Sequence, residues 1–253
     1  MTTPAQGYDP RHFAAVAAAE RSHFWFQARN RVLRTIMLPL RDSLPADPRV
    51  LEIGCGTGNT LRVLRAVFPS ATLLGMDLFA EGLRYARAET GTALIQARIE
   101  AFPFTTRFHL VGLFDVLEHI EDDRTALGAI RNQLTPGGVL VVTVPAGMHL
   151  WSAFDVEAHH CRRYSRAVLS ERLEAAGFEL RYISSFMTAI YPLVWLSRRL
   201  RRPSSGTAAT SELQPATWMN AAAGLALEPE RWLLRAGRTL PFGTSLVAVA
   251  VRR

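Results

Sequence analysis

Short apolar runs alternate with amphipathic stretches from Val50 to Val144. Val50–Ile53, Ala71–Met76, Ala93–Gln96, Phe108–Phe114 and Val139–Val144 read as strands. Thr60–Phe68, Glu81–Glu89 and Asp122–Leu134 carry helical spacing, and Thr135-Pro136-Gly137-Gly138 closes the last of them as a turn. The unbroken apolar run of Val139–Val144 implies burial on both faces, as in the middle of a parallel sheet. This β-α-β-α order predicts a parallel sheet with helices on both sides and right-handed crossovers.

The rhythm differs at both ends. Asp9 to about Leu38 is helical, with Asp9-Pro10 as a cap and Ala14–Ala19 as a strong helix former. The adjacent aromatics Phe24, Trp25 and Phe26 cannot share one helix face, because neighbours are about 100° apart. They pack between two helices or form a lid over a ligand. Pro39 to Pro48 is a connector, and 1–40 reads as an N-terminal helical cap on a 41–253 domain. Beyond Pro145, residues 146–164 form a loop crowded with Trp, His, Asp and Arg. A helix over Ser165–Ala176, capped by Ser165 and stopped by Gly177, precedes a strand at Phe178–Ser184. Residues 187–243 read as an apolar and basic insertion, with a Ser/Thr/Ala/Gly-rich stretch at Pro203–Pro215. A helix over Ala216–Arg235, bent near Pro229, leads to a final strand at Thr244–Val251.

Composition narrows the picture a little. The 253 residues are 49% hydrophobic, enough for one sizeable α/β domain with an insertion. The formal net charge is +7 and every basic side chain but His is Arg. All-Arg usage reads as genome composition, so it is a poor nucleic-acid signal, although a basic balance suits an anionic partner. Two unclustered cysteines, Cys55 and Cys161, make neither a disulfide framework nor a zinc site, and no metal is expected. A reducing cytoplasm is the default expectation. The first residues lack the order of a signal peptide, and no charge-free run reaches the length of a spanning helix.

The most specific chemistry lies at Val50–Asn59, VLEIGCGTGN: an apolar strand, a glycine-rich turn and a helix start. Glycine allows tight turns and close approach of a ligand. With GMDLF at 75–79, FHLVGLFDVLEHIEDD at 108–123 and LTPGGVLVVTVP at 134–145, the chain resembles the class I S-adenosylmethionine-dependent methyltransferases over roughly residues 30–186 and the final strand. The resemblance implies a Rossmann-like seven-stranded α/β sheet of order 3-2-1-4-5-7-6, strand 7 antiparallel. It also implies S-adenosyl-L-methionine as cofactor. Gly54, Cys55, Gly56, Gly58 and Asn59 would form the loop against its amino-acid and ribose parts. Glu52 would order that loop and offset the cofactor's ammonium. Asp77 would accept both ribose hydroxyls, and Leu78 and Phe79 would flank the adenine. Leu113 and Phe114 would line the methionine side. Arg98 and His109 stand where the family often has acids, so adenine contact is expected from Ile99 and Glu100.

The acceptor is expected beyond the ends of strands four and five. LWS…D…HxRRY at 150–164 resembles a bacterial subgroup of these enzymes, whose members often carry an aromatic-Arg motif such as His23–Arg29. An oxygen acceptor needs a base. His160, His119 and Asp155 are the candidates, in that order. The competing reading of His160 and His119 is a structural hydrogen bond, and that of Asp155 an ion pair with Arg162 or Arg163. Phe24, Trp25, Arg29, Trp151, Arg162, Arg163 and Tyr164 are candidate acceptor contacts, with Tyr164 better suited to packing or to anchoring by its hydroxyl than to acting as a base.

The acceptor classes that fit are a small molecule, a glycan or a lipid-linked compound. Met187–Leu200, with Tyr191, Trp195 and Arg198, Arg199, Arg201 and Arg202, is either a core or dimer helix or an interfacial helix suited to an anionic membrane. The second option places the protein at the inner face of the membrane. An RNA or protein methyltransferase is the alternative, though no RNA-binding appendage is recognisable. A non-catalytic, membrane-associated scaffold of the same fold is a third reading.

Overall fold

A computed structural model describes residues 13–200 and 216–253. Seven strands form one sheet: β1 (Arg49–Ile53), β2 (Thr72–Asp77), β3 (Ala93–Gln96), β4 (Phe108–Phe114), β5 (Leu134–Pro145), β6 (Phe178–Phe186) and β7 (Ser245–Arg252). Their order is β3-β2-β1-β4-β5-β7-β6. β1 to β5 pair in parallel, and β7 runs antiparallel to both β5 and β6. The expected topology is therefore present. The strand order reverses between β1 and β4, the place where an open α/β sheet binds ligands.

Both faces of the sheet are buried, and strand parity decides which face each side chain serves. Val50, Leu110, Phe114, Val139, Val141, Val247 and Val249 face one layer. Leu51, Ile53, Val111, Leu113, Leu140, Val142, Leu246 and Ala248 face the other. The first layer is built by α2 (Phe24–Met37), α3 (Asn59–Val67), α4 (Ala80–Thr90) and a late helix, with α1 (Phe13–Glu20) packed on α2 and α4; the second by α5 (Asp123–Gln133) and α7 (Arg166–Ala175). α2 is not a detached cap. Val32, Leu33, Ile36 and Met37 enter the first core, and so do Leu227, Leu234 and Leu240 of the insertion.

The expected helix from Asp9 to Leu38 is two helices over its described part, and Asp9-Pro10 lies outside the described residues. The break follows from competing hydrogen-bond partners. The His23 ring accepts from the Trp25 N–H at 3.1 Å, and Asn220 Oδ1 accepts from the Phe24 N–H at 2.7 Å. Asn220 also donates to the Ser22 carbonyl, so a residue almost 200 positions later caps α2.

Thr135–Gly138 bulges within an elongated β5. Phe108 pairs with Leu134 and Leu110 with Val139, which loops the four residues out, and Gly137 supplies the positive φ of 72°. The loop after β5 holds a 3-10 turn at Met148–Leu150 and the short helix α6 (Ala153–Glu157). α8 (Tyr191–Leu200), α9 (Thr217–Ala226) and α10 (Glu228–Arg235) follow β6, with the expected break at Pro229. Pro203–Pro215 lies outside the described residues.

Candidate active site

The ends of β1, β2 and β4 open into a cavity of about 1040 Å³ roofed by α1 and α2. Small-molecule sites run to roughly 300–1,000 Å³, so this cavity stands at the large end. Its floor is the glycine loop. Gly54 and Gly56 have φ of 71° and 49°, where an L side chain is strained. A Cβ on Gly54 would stand 2.3 Å from Val116 Cγ2, so the glycine also lets the β1 and β4 loops touch. The Gly54 and Cys55 N–H groups both donate to the Met76 carbonyl, at 2.7 and 3.0 Å. This ties the loop to the end of β2.

Asp77 sits where β2 ends, buried yet lining the cavity. Its Oδ2 accepts from the Gly56 N–H at 2.7 Å and its Oδ1 from the Phe79 N–H at 2.8 Å. Burial raises its pKa, and those backbone donors pull against the rise. Leu78, Phe79, Arg98, Ile99 and Glu100 continue the same wall. Glu100 is half exposed and pairs with Arg98 at 3.4 Å, while Ile99 presents an apolar surface. An acidic hydroxyl-binding group beside an apolar slot and a glycine-lined cradle fits S-adenosylmethionine. The residues that would hold it are Gly54, Cys55, Gly56, Asp77, Leu78, Phe79 and Ile99.

Four expected cofactor residues stand elsewhere. Glu52 is fully buried on the α3 side of β1 and accepts from the Thr60 hydroxyl. Burial pushes it up to about 8, so near neutrality it is mostly protonated and does not offset a cofactor charge from the cavity wall. Gly58 packs on Ala86 and Thr90 of α4. Asn59 holds Asn30 of α2 and Arg62 by its side-chain oxygen. Leu113 faces the second core, because its neighbour Phe114 takes the cavity side. His109 accepts from the Arg49 N–H at the opposite end of β4, so its departure from the family pattern does not touch the adenine side.

The roof is pinned to the floor at three points that sequence reasoning did not foresee. Glu20 accepts from the Thr57 hydroxyl, Asn30 reaches Asn59, and Arg29 meets Asp115 at 2.9 Å. The Arg29 guanidinium also lies 5.0 Å from the Trp25 ring centre and 5.5 Å from that of Phe26. Phe24, Trp25 and Arg29 line the cavity. The signal for Asp115 was its place just after β4, where a residue with φ of 56° turns the chain back across the strand end.

The acceptor end is ordered around Asp155, which has no exposed surface. Its Oδ2 accepts from the Ser152 N–H at 2.9 Å and hydroxyl at 3.1 Å. Its Oδ1 takes His160 Nδ1 at 2.9 Å and Arg163 Nε at 2.7 Å. Burial pushes the Asp155 carboxyl up, but the His160 hydrogen bond and the Arg163 charge outweigh it and hold it at about 2. An ionised carboxylate only accepts, so Nδ1 of His160 carries the proton and Nε2 keeps the lone pair of the neutral ring. His160 lines the cavity and meets His119 edge to face, 4.7 Å between ring centres. Burial, then the neighbouring His160, lowers His119 to about 3, which makes it a weak base. Among the described residues, one donor atom each from Glu118, His119 and His160 lie within 4.8 Å of one another, a grouping the sequence reading did not expect.

Three expected acceptor contacts turn away from the cavity. Tyr164 is fully buried, its hydroxyl donating to Asp123 at 3.0 Å. Arg162 spends its guanidinium on the Ile120 and Glu121 carbonyls, both at 2.7 Å, and pairs with Asp123 rather than Asp155. Trp151 is half-buried outside the cavity wall.

The family model described as a methyltransferase domain matches residues 18–183. Trans-aconitate 2-methyltransferase of Azoarcus sp. strain BH72 is 30% identical over 151 residues, which are 58% of this chain and 56% of that enzyme. The chain thus spans about half the length of the curated relatives it matches. Among solved structures, the N-methyltransferase NodS of Bradyrhizobium japonicum with S-adenosyl-L-homocysteine shares the fold, with a TM-score of 0.52, 17% identity and coverage of 88% of this chain and 86% of NodS. A TehB-like S-adenosylmethionine-dependent methyltransferase of Corynebacterium glutamicum does so with a TM-score of 0.56, 18% identity and coverage of 97% and 100%. The matched segment runs from the end of α1 through the glycine loop, Asp77 and the Asp155 network. The chain belongs to the methyltransferase domain family, and S-adenosylmethionine is its cofactor.

Proposed function

We propose that this protein transfers the methyl group of S-adenosylmethionine to an oxygen of a small-molecule, glycan or lipid-linked acceptor. The observation that carries the reading is the Asp155–His160 pair, whose His160 ring lines the same cavity as the glycine loop. S-adenosylmethionine supplies an electrophilic methyl on a sulfonium when bound. Asp77 and the glycine loop orient it. Asp155 fixes the His160 tautomer so that Nε2 accepts the acceptor's proton, and Arg163 holds Asp155 in place. α2 roofs the cavity and excludes water, and proximity does much of the remaining work.

An apolar acceptor is favoured by the open wall. Ile190 just before α8, Leu193 and Val194 of α8 and Met219 of α9 line the cavity. Leu193, Leu196 and Leu200 also stand exposed, as do Trp218, Leu225 and Trp232 on the neighbouring helices. Arg198 and Arg199 end α8, so an anionic membrane surface suits this side. Among the described residues no helix is long and apolar enough to cross a membrane. A peripheral contact at the inner face follows from this reading. The names of the trans-aconitate relatives favour a second reading, a small carboxylic acid as the acceptor.

The test is turnover. The chain is incubated with S-adenosylmethionine and panels of hydroxylated lipids, polyprenyl-linked sugars and small carboxylic acids, and S-adenosylhomocysteine and methylated product are read by mass spectrometry. Product that depends on His160 supports the reading. Product made equally by His160→Ala removes His160 as the base, and methyl transfer to RNA or protein alone replaces the acceptor class.

A further inference from the structure

Glu118, His119 and His160 line the acceptor end of the cavity, away from the glycine loop. They come from two segments, the 3-10 turn Leu117–His119 after β4 and the loop after α6. A backbone bond clamps the segments together: the Cys161 N–H donates to the Glu118 carbonyl at 2.7 Å. The donor atoms of the three side chains are mutually within 4.8 Å.

Two observations separate this group from an ordinary polar cluster. The first is Glu118. Its side chain is buried, 1% exposed, and its Oε2 has no hydrogen-bond partner. A buried polar atom left in that state is unfavourable, more so when charged. The second is the orientation of His160. Its Nδ1 is held by Asp155, and Asp155 is itself held by Ser152 and Arg163. A histidine whose far nitrogen is fixed by a carboxylate is the arrangement that orients metal-binding imidazoles.

We infer that Glu118, His119 and His160 bind one divalent transition-metal cation of the zinc class. Two imidazoles and one carboxylate make a three-ligand set with a fourth position open to the cavity, as catalytic rather than structural zinc sites have. Bonds of about 2.0–2.1 Å place tetrahedral donors about 3.4 Å apart, so the group closes by roughly 1 Å on loading. The nitrogen donors disfavour magnesium and calcium, which take oxygen. The purpose of the site rests on the methyl-transfer reading: the open position would take the acceptor's heteroatom and fix it against the methyl donor. His160 then gives its Nε2 pair to the ion instead of to the acceptor's proton.

The full chain, without a histidine tag and treated with chelator, is titrated with Zn²⁺ by calorimetry and with Co²⁺ by visible absorption. Binding of S-adenosylhomocysteine is measured on the same samples. One equivalent of cation is expected, with affinity lowered at least tenfold by each of Glu118→Gln, His119→Ala and His160→Ala and unchanged by His149→Ala. Retained S-adenosylhomocysteine binding in the variants shows that they are folded. Cofactor binding without cation uptake, or Zn²⁺ affinity indifferent to all three substitutions, overturns the metal site and leaves the methyl-transfer reading intact. Cation uptake without any cofactor binding overturns the methyl-transfer reading and leaves the metal site.

Discussion

Arg29 of α2 and Asp115, the first residue after β4, form an ion pair at 2.9 Å across the mouth of the cavity. The two side chains are 8% and 18% exposed, so water screens the pair weakly. Arg29 is also stacked over Trp25, which makes the roof a single unit with its latch. Removing one partner strands the other. Arg29→Ala is expected to cost about 3 kcal/mol of stability, in the range for a broken buried pair, and to loosen the roof over the cofactor. Chemical denaturation and S-adenosylhomocysteine titration check both effects. Arg29→Lys should recover only part, because a single ammonium loses the stacked planar guanidinium.

Gly54 is the most constrained position of the loop. Its φ of 71° and the 2.3 Å approach of an added Cβ to Val116 combine strain with a clash. Gly54→Ala should abolish detectable cofactor binding while the far side of the sheet stays folded. Calorimetry and far-UV circular dichroism together read this outcome.

Burial of Glu52 gives stability a pH dependence with a definite sign. Its pKa lies at about 8 in the fold, raised mainly by desolvation against the Thr60 hydrogen bond and the Arg29 charge. The native state therefore holds a proton that the unfolded chain has released. The stability Glu52 supports is complete below the ordinary glutamate range and is lost as pH rises through about 8, by an amount on the order of a few kcal/mol. Glu52→Gln should flatten the midpoint-against-pH curve over that window. An unchanged slope would show that Glu52 is not the group responsible.

Asp155 acts in the opposite sense. Held at about 2 by His160 and Arg163 against its burial, it contributes stability that is present above the ordinary aspartate range and lost as pH falls towards 2. Asp155→Ala leaves Arg163 without its carboxylate and His160 without its tautomer anchor. It should cost about 3–5 kcal/mol and lower turnover strongly, with S-adenosylhomocysteine affinity nearly unchanged. Steady-state kinetics and calorimetry on the same preparation separate those effects.

Sequence reading recovers what is local or periodic and loses what depends on parity and on long-range partners. The strand Phe108–Phe114 and the glycine loop are legible because apolar runs and glycines mark them directly, whereas the order of the sheet comes from the family resemblance. Leu113 and Phe114 were both assigned to the cofactor, yet adjacent strand residues face opposite layers, so only Phe114 reaches the cavity. Glu52 shares the sheet face of Phe114 but lies deeper, where the Thr60 hydroxyl of α3 claims it. Tyr164 and Arg162 look like ligand contacts in a His-Arg-Tyr run, but Asp123 and the carbonyls of Ile120 and Glu121 claim them. The Glu20–Thr57 and Arg29–Asp115 contacts link segments far apart in the chain, and no local pattern announces them.

The central claim is that the glycine loop and Asp77 hold S-adenosylmethionine, and direct titration tests it most plainly. Calorimetry of the full chain with S-adenosylmethionine and S-adenosylhomocysteine should give one site for each. Asp77→Ala should weaken both at least tenfold, since charge-assisted hydrogen bonds of about 1.5–3 kcal/mol each are lost. Absence of binding by the unaltered chain, or equal affinity in Asp77→Ala, would contradict the account.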